Sequence, residues 1–118
     1  MTGKRKLWGA AFPLHWPAGQ LRTHERDQEH GNLAKDMGLA RCRDLLVDEL
    51  ERLADPGSRF VISTNIELRQ DGLPYANQRQ PTDVGVAVYF VRNGLESCIA
   101  CDRWMHVRKN MRAIGKTI

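Results

Sequence analysis

Long apolar runs are missing from this chain. No stretch of its 118 residues approaches the roughly 20 apolar residues needed to span a bilayer, so no membrane partner is expected. The basic opening Lys4-Arg5-Lys6 is followed by Leu7 to Phe12 and then by Pro13, His15 and Pro17, without the cleavable apolar core of a signal peptide. A cytoplasmic protein is expected. Cysteine is scarce and odd in number: Cys42, Cys98 and Cys101 argue against a disulfide framework and suit a reducing compartment. No Gly-rich phosphate loop precedes a helix, and no Gly-x-Ser-x-Gly nucleophile elbow is present. With these signals absent, no catalytic residue and no cofactor is assigned, and the chain reads as a binding module rather than an enzyme.

What is there suffices for one folded domain. The length allows a single hydrophobic core, and 42% hydrophobic with 27% charged residues is the balance of a folded protein, not a disordered one. The net charge of +4 is modest but unevenly placed. From Arg103 to Ile118 the chain carries Arg103, Arg108, Lys109, Arg112 and Lys116 and no acidic residue. Such a cluster favours a polyanionic partner, or else forms a solvated helix face.

Residues 1–32 show little periodicity and hold Pro13, Pro17, several glycines and three of the four histidines, His15, His24 and His30. They predict an extended N-terminal arm, pinned by Trp8, Phe12, Leu14 and Trp16. Residues 33–118 predict one α+β domain. From about Leu33 the pattern becomes helical: Leu39, Cys42, Leu46, Leu50 and Leu53 recur at helical steps, and Asp55-Pro56-Gly57-Ser58 ends that helix. Arg59–Leu68 reads as a strand, rich in β-branched residues. Asp71-Gly72 signals a turn, and a long polar segment runs from Leu73 to Thr82. Val84–Arg92 and Leu95–Cys101 read as strands joined by Asn93-Gly94, a strong hairpin signal. Asp102 is a good N-cap for a closing helix striped by Trp104, Val107, Met111, Ile114 and Ile118. The expected architecture is a small three-stranded antiparallel meander flanked by two helices.

Chemistry-bearing patterns are few. Cys98-Ile99-Ala100-Cys101 has C-x-x-C spacing, but on a strand residues three apart face opposite ways, and no further ligand pair completes a zinc site. Two inert cysteines are expected, and no metal ligand is assigned. Asp83 and Asp102 bracket the hairpin, where a metal-dependent nuclease places carboxylates against a divalent ion. No Glu-x-Lys accompanies them, and Asp102 is explained as a cap. The polar segment offers Tyr75, Asn77, Gln78 and Arg79, with Arg69 just before it: a stacking ring, amides and guanidinium groups suited to nucleic acid or a polar protein surface.

Pro13-Leu14-His15-Trp16-Pro17 with Arg22-Thr23, Asp71-Gly72-Leu73-Pro74-Tyr75 with Gln78-Arg79 and Pro81, Gly85-Val86-Ala87-Val88-Tyr89-Phe90, Ala100-Cys101-Asp102-Arg103-Trp104, and Asn110 with Arg112-Ala113-Ile114 form a set. Together they resemble the N-terminal module of uncharacterised bacterial and phage proteins that often carry a C-terminal J-domain. The resemblance covers most of the chain and implies a phage, prophage or plasmid origin. It transfers no activity. The J-domain and its His-Pro-Asp tripeptide are expected to be absent, and with them any chaperone recruitment.

The leading expectation is a non-enzymatic mobile-element module that binds nucleic acid or a nucleoprotein complex through Arg69, Tyr75, Asn77, Gln78, Arg79, Arg103, Arg108, Lys109, Arg112 and Lys116. Two alternatives stay open. One is a protein–protein inhibitor of a host defence complex, in the manner of an anti-CRISPR; the other is a small nuclease using Asp83 and Asp102.

Overall fold

The computed structural model describes residues 8–70 and 79–118. The apolar stripe expected for the first helix forms α1, Leu39–Leu53, with Cys42, Leu46, Val47 and Leu50 buried. Residues 33–38 do not belong to it: Ala34 and Asp36 both adopt positive φ, which an α-helix does not allow. At the other end Asp55 fastens the helix exit to the hairpin. Its carboxylate accepts the N–H groups of Asn93 at 2.7 Å and Gly94 at 2.8 Å, and its own N–H donates to the Val91 carbonyl.

Among the described residues four strands build one sheet: β1 (Trp8–Ala11), β2 (Phe60–Thr64), β3 (Val86–Arg92) and β4 (Leu95–Cys101), in the order β1-β2-β3-β4. The α+β class holds, and β2, β3 and β4 form the expected antiparallel meander. The sheet is nonetheless mixed and four-stranded, because β1 pairs in parallel with β2 through Trp8↔Phe60 to Ala11↔Ser63. Residues 8–11 of the arm are therefore an edge strand. Parallel neighbours need a crossover connection, and α1 lies within it. The strand at Arg59–Leu68 is shorter than expected, since Asn65 leaves the ladder to accept the Leu14 N–H at 2.9 Å.

Asn93 and Gly94 take φ of 52° and 76°, the conformation a two-residue hairpin turn requires. Strand alternation then sorts the sheet into two faces. Phe60, Ile62, Val86, Val88 and Phe90, with Ile99 and Cys101 beside them, face α1 and the second helix, α2 (Val107–Thr117). Ser63, Ala87, Tyr89 and Cys98 point to the other face, which the segment 14–22 covers. There the Ser63 hydroxyl accepts the His15 N–H at 2.8 Å, and the Tyr89 hydroxyl donates to the His15 carbonyl.

The closing helix starts later than the sequence implies. Its N-cap is His106, not Asp102. Trp104 precedes the helix and forms an isolated bridge with Glu29, while Val107, Met111 and Ile114 keep the buried stripe. Among the described residues no helix is long and apolar enough to cross a membrane.

Candidate functional site

Asp102 has a different task from the cap it resembles. Its Oδ2 accepts the Arg22 Nε at 2.8 Å and the Thr23 N–H at 2.9 Å. The same guanidinium donates to Asp83, whose Oδ1 also accepts the Gly85 N–H at 3.1 Å, and it lies 4.3 Å from the centroid of the Trp16 ring. The Asp83 hydrogen bond leads in raising the Arg22 pKa. Burial works to raise the Asp83 carboxyl, but Arg22 and the Gly85 N–H outweigh it, and the Asp83 pKa is lowered. An arginine thus stands between the two aspartates where the nuclease reading needs a divalent cation. The arrangement is a clasp holding residues 14–23 to the sheet.

The cysteines are dispersed. Cys98 lies on the face covered by the arm, Cys101 on the core face beside Asn110, and Cys42 is fully buried in α1. All three thiols are free, and burial is the leading cause that pushes each pKa up, the opposite of an activated thiolate. Among the described residues no group of three or more His, Cys, Asp or Glu side chains could hold a metal.

The basic residues are more informative. Arg108, Arg112 and Lys116 follow one another at i, i+4 spacing on α2, about 6 Å apart along the axis. Arg108 and Arg112 are half-buried and Lys116 is exposed. Both arginines act on the Cys42 thiol, which places their charge beside the first turns of α1. Neither α1 nor α2 has an acidic residue in its first turn.

Arg79 reaches the same end of the molecule. It and Arg108 line one cleft of about 160 Å³ with Leu39, Ile66, Gln80 and Val107. Gln80 sets this approach: its Oε1 accepts the Val107 N–H at 2.9 Å, and its Nε2 donates to the Met105 carbonyl at 3.0 Å. The Gln80 amide thereby caps the first N–H of α2, and the neighbouring Arg79 lies near the helix N-terminus. Gln80 has no signature in the sequence, because a capping residue distant along the chain leaves no local pattern.

The remaining expected site residues separate. Lys109 turns inward, 8% exposed, with its Nζ donating to the Gly31 carbonyl at 2.8 Å. Arg103 is exposed, 3.7 Å from Glu29, and lines a different cleft of about 340 Å³ between β4, α2 and residues 20–23. Arg69 is exposed beyond β2. Tyr75, Asn77 and Gln78, like the Asp71-Gly72 turn and the Lys4-Arg5-Lys6 cluster, lie outside the described residues. Comparison of the chain with family models, with curated proteins and with solved structures gives no match in any of the three.

Proposed function

We propose that this protein is a non-enzymatic module, of phage or other mobile-element origin, that binds nucleic acid or a nucleoprotein complex. The binding surface is the row Arg108, Arg112 and Lys116 on α2, joined at its N-terminal end by Arg79. What carries the reading is the convergence of Arg79, from the polar segment, with Arg108, from the basic helix, on one cleft that no carboxylate lines among the described residues. Cations spaced along a helix suit a phosphate backbone, whose neutralisation releases counterions and supplies affinity irrespective of sequence. Lys109 and Arg103 are left out of this surface, the first because it is buried and the second because it lies on another cleft.

Fluorescence anisotropy of labelled single- and double-stranded oligonucleotides tests the reading. The intact protein should bind at low salt, and R112E/K116E should bind weakly or not at all while melting at the same temperature. Equal binding by the variant would refute it.

A second reading, the inhibitor of a host defence complex, draws on a different surface. Leu21 is 90% exposed at the rim of the cleft beside β4, and Leu95 on the same strand is 69% exposed. Exposed leucines at a sheet edge suit a protein partner. Capture of a stoichiometric partner from nuclease-treated host lysate, abolished by L21E, would favour this reading over the first.

A further inference from the structure

Arg108 presents an anomaly at the end of the basic row. Its Nη1 is buried and has no hydrogen-bond partner among the described residues, although a guanidinium nitrogen left without an acceptor is costly and such groups normally find one. Arg79, exposed and across the cleft, has no ion pair among the described residues. The cleft between them is small, about 160 Å³, room for a single tetrahedral oxyanion with a few waters at roughly 30 Å³ each. Its floor is Leu39, Ile66 and Val107, and it opens beside the N-terminus of the eleven-residue α2, whose dipole favours negative charge.

From this geometry we propose that the cleft between Arg79 and Arg108 is a discrete binding site for one phosphate group. Two guanidinium groups line the cleft, one from α2 and one from the segment before it, and arginine is the side chain suited to phosphate oxygens. Gln80 holds the two elements in register by its paired hydrogen bonds to Val107 and Met105. A phosphate in the cleft offsets the charge of Arg108, whose Nη1 is enclosed by protein. The inference deepens the nucleic-acid reading and rests on it only for the source of the phosphate, which is a backbone diester or a terminal monoester.

The test is an NMR titration of the full chain with inorganic phosphate, chloride being exchanged out at constant ionic strength. Saturable shifts are expected at the Arg79 and Arg108 side chains and the Val107 amide. R79Q and R108Q should each weaken binding about tenfold or more, and R108K should do so too, because a point charge loses the fork. R52Q, at the far end of α1, should bind phosphate normally, and core amide shifts report that every variant is folded. Non-saturating shifts, or saturation unchanged in R79Q and R108Q, would overturn the site. Competition then identifies the source: a 5′-phosphorylated oligonucleotide displacing phosphate better than its 5′-hydroxyl form marks a monoester site, and equal displacement marks a diester site. Saturable phosphate binding with no oligonucleotide binding would leave the site standing and remove the nucleic-acid reading.

Discussion

Gly85 shows how closely single residues set the covering layer. A Cβ there would stand 3.0 Å from a Leu14 methyl, 3.1 Å from the Arg22 guanidinium and 3.2 Å from the Trp16 ring. Gly85→Ala should therefore displace the clasp and destabilise by about 1–3 kcal/mol, read as a lower urea midpoint. Asn110 is the counterpart on the helix side. Fully buried, it donates to the Val84 and Trp104 carbonyls and accepts from the Trp104 N–H and the Cys101 thiol. Asn110→Ala strands those groups and should cost roughly 1–3 kcal/mol for each one left unsatisfied. Asp83 contributes to the acid limb of stability together with Asp55, whose carboxyl the Gly94 and Asn93 N–H groups hold below its ordinary value. The folded-state pKa of Asp83 lies below the ordinary 3.8, so its contribution is fully present above the unfolded value and fades as pH falls through the folded one. Asp83→Asn should reduce the loss of stability on acidification in melts taken across that window, leaving the part due to Asp55; an unchanged acid limb would show that the clasp does not act through this charge. None of these pairings was legible in sequence. Arg22 meets Asp83 and Asp102 across more than sixty positions of chain, and only local partners leave a pattern.

At the scale of elements, legibility follows locality. The α1 stripe, the Asn93-Gly94 turn, β4 and the buried face of α2 are each written in neighbouring residues, and each forms. What escaped notice is β1: Trp8-Gly9-Ala10-Ala11 has no β-branched residue and no alternation, and its pairing with β2 is decided by distant chain. The start of α2 was misplaced for a similar reason. Asp102 is a strong capping residue, but a salt bridge with Arg22 claims it, and Gln80 caps the helix instead. Gln80→Ala should thus cost about 1 kcal/mol, as helix caps do, and should also weaken oligonucleotide binding by loosening Arg79. A stability loss with unchanged binding would separate the cap from the site.

For the whole molecule, the mixed sheet is covered by helices on one face and by the segment 14–22 on the other, and positive charge runs along α2 from its first turn to Lys116 in its last. The charge cluster was visible in the sequence, but its members do not act together. Helical phase turns Lys109 toward Gly31 while Arg108, Arg112 and Lys116 share a row, and Arg79 joins them only through the fold. The measurement closest to this claim is the dependence of oligonucleotide affinity on salt. Four phosphate contacts predict a slope of log Kobs against log salt of about −3 to −4, with each of R79Q, R108Q, R112Q and K116Q reducing its magnitude by about 1 and Lys109→Met leaving it unchanged. A slope near zero in the intact protein, or one that falls with Lys109→Met and not with the row, would contradict the account.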